Sequence, residues 1–449
     1  MKKSILPLLA ALLCTFSASA QNLNTTFRAK ITYPNQTLAN VWGYTTNGHE
    51  YALLGGALGM IIVDITNPDT PQQIVQIPGP NSLWKEIKTF KNFAYVVSEG
   101  GQGIQVVDLS GLPSPNLNYH FYTGDGAIPN PINRIHALHI DTTKGYLYAY
   151  GGDSWSGGRA RIFDLNPDPY NPHFVSIYNT TFPGNGNYIH DGYVDNDTMY
   201  SAHIYNGFFS IVDMTDKNNP VLISTQPTPG LFTHNTWLSA DHKVLFTTDE
   251  VNNSYLTAFD ISDPSNIKLL DKIQSNPGSN SVVHNTEILG NFAVTSWYKD
   301  GFTIVDVTRP DNLVQVGNYD TYAGAGGNTE GCWGVYPFFP SGTIVATNIS
   351  SLGTNNGEFW VLTPQYVRAC YLEGKIADAV TGNPLSGASI KILNTTPLTQ
   401  ETSGPAGLYK TGQAQAGLFT VRVSKTGYQS VEVPVLLKNG ELTPLDVDL

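Results

Sequence analysis

The segment FTIVDVTRP, residues 302–310, is a short run of β-branched residues that ends in Asp306 and is closed by Pro310. β-Branched residues favour a strand. The Asp-x-Thr-x-Pro ending is typical of a turn in which a carboxylate accepts backbone amide hydrogens and proline ends the strand. We interpret Asp306 and its counterparts in five similar segments as structural residues of turns: Asp64, Asp108, Asp164, Asp213 and Asp260.

These segments recur 44 to 56 residues apart, and a degenerate seventh copy, FWVLTP at residues 359–364, carries Thr363 in place of aspartate. The period around Asp306 contains four short runs, VVHNTEI, FAVTSWY, GFTIVDV and LVQVGNY, separated by turn residues. Four strands per period predict one blade of a β-propeller. We count seven blades, and expect residues 25–34 to supply the missing outer strand of the seventh and so to close the ring.

Composition indicates an all-β chain. Glycine (43) and proline (28) are abundant, and no apolar pattern of helical period with capping residues extends over a dozen positions. The 449 residues exceed one ordinary domain. We therefore predict an all-β fold, with a seven-bladed β-propeller over residues 21–365 and a small β-sandwich over residues 371–449.

The N-terminus indicates export. Lys2 and Lys3 precede an apolar run that ends in the small residues SASA, residues 17–20. We predict a signal peptide, residues 1–20, cleaved after Ala20, and a protein that is secreted or lies at the cell surface. No later run approaches the roughly 18 apolar residues that a membrane helix needs, so we expect no transmembrane segment.

The charge limits the partners. The formal net charge of −12 becomes −14 when Lys2 and Lys3 are removed, and this excludes nucleic acid. We expect a monomer whose partners are an extracellular protein or a carbohydrate. Cys332 and Cys370 remain after Cys14 leaves with the signal peptide. They either form a disulfide in an oxidising compartment or stay as two buried thiols.

Four histidines recur with the period of the blades, each at the start of a first strand: His136, His190, His234 and His284. The first strand of a propeller blade lines the central channel, so equivalent positions form a ring around the axis. We expect the four imidazoles to face one space. Trp42, Trp84, and Trp333 or Cys332 are expected there from the other blades.

Three interpretations of this ring remain open. The imidazoles hold a transition metal such as Zn or Fe, or they hydrogen-bond neighbouring blades as repeated structural residues, or they line a polar channel without an assigned use. A metal site would need partners that orient each imidazole, and the nearby candidates are Asp191, Asn235, Asn285, Glu287 and Glu86.

Two other features are given structural roles. His139 follows His136 by three residues and is expected on the opposite strand face. The segment GGDSWSGG, residues 151–158, is superficially like a serine nucleophile site, but it lacks the helix that such a site needs. We interpret it as a flexible loop.

The IVDITNP and IVDVTRP segments resemble LVIVD repeats. With RIHALHID, THNTWLS and GCWGVYPFFPSGTIVATNI, they resemble the choice-of-anchor B family of secreted bacterial surface proteins over residues 27–363. This resemblance implies an exported propeller and no established reaction. The pattern G-x-I-x-D-x-x-T-G-x-P-L-x-G-A-x-I at residues 374–390 resembles the carboxypeptidase regulatory-like domain. That resemblance implies a prealbumin-like β-sandwich that serves as a spacer or docking unit.

Two functions follow from these observations. The first is a binding or interaction protein that presents its channel mouth and loops to a partner outside the cell. The alternative is a metal-dependent enzyme of hydrolase or oxygenase type, in which a metal held by the four histidines activates water or oxygen.

Overall fold

A computed structural model describes residues 22–179, 182, 187–323, 326–395 and 398–449. The predicted signal peptide, residues 1–20, lies outside the described residues. The all-β prediction is confirmed. The described residues form strands and two short 3-10 turns, Leu109–Gly111 and Ser154–Ser156, and they contain no α-helix. Accordingly, no helix in these ranges has the length and apolarity needed to cross a membrane.

The first strand, β1 (Thr25–Tyr33), belongs to the last of seven four-stranded antiparallel sheets. Each sheet is a blade, numbered here in chain order. The strands of blades one to three are β2 (Leu38–Thr46), β3 (His49–Gly56), β4 (Gly59–Asp64) and β5 (Gln72–Pro78); β6 (Lys85–Phe90), β7 (Phe93–Ser98), β8 (Ile104–Asp108) and β9 (Tyr119–Tyr122); β10 (Ala137–Asp141), β11 (Tyr146–Tyr150), β12 (Arg161–Asp164) and β13 (His173–Ile177).

The remaining blades follow the same order, from the innermost to the outermost strand. Their strands are β14 (Asp191–Asp195), β15 (Thr198–His203), β16 (Phe208–Asp213) and β17 (Val221–Pro227); β18 (Thr233–Leu238), β19 (Val244–Asp249), β20 (Leu256–Asp260) and β21 (Lys268–Ile273); β22 (Thr286–Leu289), β23 (Phe292–Ser296), β24 (Phe302–Asp306) and β25 (Val314–Tyr319); and β26 (Cys332–Tyr336), β27 (Ile344–Asn348) and β28 (Gly357–Pro364), with β1 outermost.

The sheets form a closed ring. The innermost strands contact one another in chain order, and β26 contacts β2 to complete the circle. β1 pairs antiparallel with β28, from Thr25 opposite Pro364 to Tyr33 opposite Gly357. The prediction that the N-terminal strand completes the last blade is therefore confirmed, and the first and last parts of the propeller share one sheet.

The structural interpretation of the six repeated aspartates is also confirmed. Each carboxylate accepts a hydrogen bond from the backbone amide two residues further on, at 2.8 to 3.0 Å. Asp306 also accepts from the amide of Ala369 at 2.7 Å and from Nε of Arg368 at 3.1 Å. One turn residue therefore joins blade six to the second domain.

The strands that carry the repeated motif are buried on both faces. In β4, Ile61 and Val63 pack against blade seven, whereas Ile62 packs against blade two. Because both faces of a blade lie against neighbours, the strand shows an unbroken apolar run instead of alternation. Full burial of each such side chain contributes about 1.5–3 kcal/mol.

The second domain comprises two further sheets, β32-β29-β35, with β36 also pairing β29, and β31-β30-β33-β34. Glu373 accepts hydrogen bonds from Arg309 and Asn312 of the propeller, both at 3.0 Å. The strands of the second domain are β29 (Cys370–Ala377), β30 (Ser389–Ile392), β31 (Thr399–Thr402), β32 (Leu408–Gln413), β33 (Gly417–Ser424), β34 (Val431–Leu437), β35 (Leu442–Pro444) and β36 (Val447–Asp448).

Cys332 and Cys370 are free, buried thiols, so the disulfide candidate is not formed. Side chains alternate along β29. Tyr371 packs toward blade seven in the cluster that contains Cys332, whereas Cys370 points into the core of the second domain. The two sulfur atoms therefore face different cores, and this leaves the second of the two alternatives, two buried thiols.

The segment of residues 151–158 is anchored, contrary to the prediction of a flexible loop. Asp153 accepts hydrogen bonds from the amides of Asn133 at 2.8 Å and Arg134 at 2.9 Å. It also pairs at 3.2 Å with Arg161, which is fully buried. The sequence did not predict this pair, because the glycines of the loop indicated a flexible backbone. The residue that anchors the loop, Arg161, lies on the following strand, β12.

Candidate functional site

The four repeated histidines form one stack at the start of the innermost strands of blades three to six. The imidazole centroids are 4.1 Å apart between His136 and His190, and 4.3 Å apart both between His190 and His234 and between His234 and His284. Trp333 of blade seven continues the stack at 4.8 Å from His284. The rings thus share one space near the axis and do not separate into the blade interiors.

Backbone carbonyls orient two of the imidazoles. Nδ1 of His190 donates to the carbonyl of His234 at 3.2 Å, and Nδ1 of His284 donates to the carbonyl of Trp333 at 2.7 Å. A carbonyl oxygen only accepts, so Nδ1 carries the hydrogen and Nε2 keeps its lone pair. Each of these two rings therefore presents Nε2 as an acceptor or a metal ligand.

Burial keeps three of the rings neutral. The pKa of His190 lies well below its usual value, and the pKa values of His234 and His284 are lowered to about 3. The main cause is the removal of the ring from water, and the neighbouring imidazoles add to it. At neutral pH these nitrogen lone pairs are available without loss of a proton.

A carboxylate that follows β19 completes the cluster. Oε2 of Glu250 lies 3.7 Å from Nε2 of His234, and Oε1 lies 4.0 Å from Nε2 of His284. The hydroxyl of Tyr298, which is buried, donates to Oε1 at 2.5 Å. One donor atom each of His190, His234 and Glu250 lie within 4.8 Å of one another, so these three residues could hold one metal ion.

The compact donor group differs from the predicted four-histidine set, which stays a prediction. Among the described residues, the compact donor group includes His190 and His234 but not His136 or His284. Successive blades step around the axis, so the first and fourth rings of the stack face different sides of the channel. His136 instead binds Glu99, whose Oε1 lies 2.5 Å from Nδ1.

Sequence reasoning left Glu250 out of the candidate site. Glu99 and Glu250 each directly follow the second strand of their blades, β7 and β19, which is the signal that could have found them. The second strand runs antiparallel to the innermost one, so its end lies beside the histidine position. Tyr298, two residues after the end of β23, reaches the same place from blade six.

The residues predicted to orient the imidazoles have other partners. Asn235 donates to Asp191 at 2.8 Å and accepts from the amide of Thr286 at 3.1 Å, while Glu86 accepts from Asn40 at 2.5 Å and from Lys88. Among the described residues, no hydrogen bond joins the five predicted side chains to the histidine rings: Asp191, Asn235, Asn285, Glu287 and Glu86. These bonds therefore give no support to the orienting role predicted for them. Nδ1 of His190 and His284 bonds to a backbone carbonyl and Nδ1 of His136 to Glu99, whereas Nδ1 of His234 has no hydrogen-bond partner among the described residues.

These side chains instead form a polar layer next to the histidines. Burial raises the pKa of Asp191 to about 6 and raises that of Glu287 well above its usual value. Oε2 of Glu287 is buried and has no hydrogen-bond partner among the described residues. Glu287 is therefore a poor candidate for a permanently charged ligand at neutral pH, whereas Asp191 is mostly ionised there.

The histidines line a cavity of about 30 Å³, to which Trp84 and Trp333 also contribute. This volume is room for about two water molecules. Trp84 is 43 % exposed and marks the rim. Trp42, which was expected in the same place, instead contacts Tyr336 and Phe338 further along the channel, and Cys332 packs into the blade-seven core.

His139 was expected to face away from the ring, but it also lies toward the channel. Its ring contacts Tyr193 at 4.6 Å and Trp237 at 6.0 Å, and its Nδ1 accepts from the amide of Val194 at 3.1 Å. The innermost strand is the edge of its sheet, so side chains on both of its faces lie close to the axis.

Family models match two parts of the chain. The LVIVD repeat matches residues 85–123, 251–274 and 282–321, and the carboxypeptidase regulatory-like domain matches residues 371–449. The chain contains LVIVD repeats and a carboxypeptidase regulatory-like domain.

No curated protein matches the chain. Among solved structures, it is similar to the β-propeller domain of Cps50 (Swd1) from Myceliophteria thermophila, at 11 % identity and a TM-score of 0.48, over 74 % of this chain and 99 % of that one.

The matched LVIVD repeats include some of the turns and one of the four channel histidines. The repeat of residues 282–321 spans all of blade six, so it contains His284, Tyr298 and Asp306. The repeat of residues 85–123 spans blade two and begins at Lys85, which lines the same cavity as the histidines. One repeat unit thus places a channel residue at one end of the blade and a turn aspartate at the other.

Replacement of His234 by glutamine is expected to remove part of the acid sensitivity of the fold. The pKa of His234 is lowered from 6.5 to about 3. Between these two values the imidazole is protonated in the unfolded chain and neutral in the folded chain, so acid favours unfolding. At pH 5 this favours the unfolded wild type by about 2 kcal/mol. The free energy of unfolding of wild type and of His234→Gln is measured with urea at pH 7 and at pH 5. Between these two pH values, wild type should lose about 2 kcal/mol more than the variant. An unchanged difference would mean that His234 is accessible to protons in the folded state.

Proposed function

We propose that the protein is exported and binds a ligand at the histidine-lined mouth of its propeller channel. The observation that carries this proposal is that four imidazoles line the cavity and that two of them, His190 and His284, keep Nε2 free to accept. Trp84 at the rim adds an exposed aromatic surface beside it. Such a combination of convergent polar groups with an aromatic wall is typical of a ligand site.

The channel behind this site is closed, which favours a binding cup over a pore. Phe338 of blade seven lies 6.4 Å from Trp42 of blade one and stacks on Trp237 of blade five at 5.6 Å. Tyr193 of blade four contacts Trp237 at 4.9 Å. These rings meet across the channel, so a ligand that enters at the histidines would stop there.

Export and surface display are part of the same proposal. The basic, apolar and then small-residue order of the first 20 residues supports a signal peptide, and the acidic balance suits an extracellular protein. We place the chain in the choice-of-anchor B family on the resemblance of its propeller motifs. The second domain, fixed to blade six through Asp306 and Glu373, would then hold the propeller mouth away from the cell surface.

Native mass spectrometry tests the binding role. The mature chain purified from the culture medium is expected to include a species heavier than the polypeptide. This species should be absent from the double variant His190→Ala/His234→Ala and retained by His242→Ala, since His242 is exposed and pairs with Asp195 away from the cavity. If wild type and double variant both have only the mass of the polypeptide, the proposed binding role is wrong.

A metal-dependent hydrolase or oxygenase is the second candidate. One observation favours it: Glu250 lies among the imidazoles, and sets of histidine and carboxylate ligands serve catalytic metals that keep positions open. The cavity of about 30 Å³ has no room for an organic substrate, which would have to present its reacting group from the rim. We therefore prefer the binding role.

A further inference from the structure

We propose that the ligand is a divalent transition-metal ion, held by Nε2 of His190, Nε2 of His234 and one carboxylate oxygen of Glu250. This inference rests on the proposed function, because it names the ligand of the same mouth. It also replaces the four-histidine site expected from the repeat by a set of two histidines and one carboxylate.

The distances suit a single ion. Zinc lies about 2.0–2.2 Å from imidazole nitrogen and carboxylate oxygen, so two ligands in tetrahedral geometry are about 3.4 Å apart. Oε2 of Glu250 and Nε2 of His234 are 3.7 Å apart, and one donor atom of each of the three residues lies within 4.8 Å of the others. Coordination would need a contraction of about 0.3 Å on the closest edge and of up to about 1.4 Å on the widest.

The protein holds the ligands ready to bind. The carbonyl of His234 fixes the Nδ1 hydrogen of His190, which leaves Nε2 of that ring free to bind a metal. Tyr298 donates to Oε1 of Glu250, which leaves Oε2 directed at His234. These contacts orient His190 and Glu250 before a metal binds.

The charge balance of the cluster calls for a cation. In the described part of the chain, Glu250 has no lysine or arginine partner, and the ion-pair distances that it does make are to His234 and His284. Both rings are buried, and each turns Nε2 toward Glu250. The carboxylate therefore has imidazole neighbours and one hydroxyl donor, and a bound cation would supply the positive charge that its surroundings lack.

The donor types select the class of ion. Imidazole suits Zn, Fe, Cu and Ni, whereas Ca and Mg prefer sites built from oxygen ligands. Three protein ligands leave at least one coordination position open, and the adjoining cavity, which His190 and His234 line, has room for about two water molecules. His284, with Nε2 at 4.0 Å from Oε1 of Glu250, is the next nitrogen within reach.

Titration with zinc and cobalt tests the site. The mature full-length chain is stripped with a chelator, then titrated with Zn(II) by calorimetry and with Co(II) by visible absorption, which reports coordination geometry. We expect one Zn(II) per chain. His190→Ala/His234→Ala should weaken binding at least 100-fold, and Glu250→Gln, which keeps the side-chain volume, about 10-fold or more. Tyr298→Phe should weaken it roughly 10-fold by releasing Glu250. His242→Ala is the matched surface control, and circular dichroism checks folding.

The outcomes separate the two proposals. If wild type binds neither ion, or if Glu250→Gln and the double histidine variant bind as tightly as His242→Ala, the metal assignment is wrong. A heavier species that still depends on His190 and His234 in native mass spectrometry would then leave the binding role standing with another ligand. If that species is missing as well, both proposals fall.

Discussion

A chain that lacks residues 22–35 is expected to be several kcal/mol less stable than the mature protein and to associate in solution. Removal of residues 22–35 takes away β1, the outermost strand of blade seven, and uncovers the edge of β28. Tyr33 and Ile31 pack with Val345 and Phe359 in the core between blades seven and one. Full burial of a large apolar side chain contributes about 1.5–3 kcal/mol, so Tyr33, which is buried, and Ile31, which is half-buried, together contribute at most about 3–6 kcal/mol. The uncovered edge can also pair with a second chain.

Thermal unfolding and size-exclusion chromatography measure the two effects. A synthetic peptide of residues 22–35 is expected to restore both the unfolding temperature and the monomeric elution, whereas the same peptide with Ile31→Asp should not. If the truncated chain unfolds like wild type and elutes as a monomer, then β1 does not hold the ring closed.

Replacement of Asp153 by alanine is expected to lower the free energy of unfolding by about 3–5 kcal/mol. The guanidinium of Arg161 is fully buried, and burial lowers its pKa to about 10, so it stays charged at neutral pH. Asp153 supplies the opposite charge at 3.2 Å and also accepts two backbone amides. Without it, a buried charge has only carbonyl partners and two amides lose their acceptor.

Urea unfolding of three chains separates the charge effect from loss of the loop. Asp153→Ala should be strongly destabilised, whereas Asp153→Ala combined with Arg161→Met should recover much of the loss, because no unpaired charge then remains. If the single variant loses less than about 1 kcal/mol, the pair is accessible to water and the loop is not anchored in this way.

The strands, the turns and the closure of the ring could be predicted because their signals are local or additive. The turn at Asp306 is encoded within five residues, and the same ending in five other places sets the period. The pairing of β1 with β28 followed from a missing outer strand in the last blade and an unassigned strand near the N-terminus. Both conclusions need only the sequence and the number of strands in a blade.

The candidate site was only half predictable. The repeat placed His136, His190, His234 and His284 at equivalent positions, and the structure brings their rings into one stack. The sequence could not predict which of these histidines lie close enough to share a ligand, because blades arranged in a circle direct their side chains to different sides of the axis. Asp191 and Asn235 looked suitable as partners of the imidazoles by their place in sequence, yet they hydrogen-bond each other instead.

By itself, the sequence determined that this chain is built from β-strands, that its blades repeat with an aspartate turn, and that four of them carry histidine at the same position. These are properties of short segments and of their period. Only the tertiary structure decided that Glu250 and Tyr298 join His190 and His234, and that backbone carbonyls hold the Nδ1 hydrogens of His190 and His284. It also decided that aromatic rings from blades one, five and seven meet behind the histidines. The reason is that these contacts join different blades across the axis, and their distances depend on the closure and curvature of the whole ring.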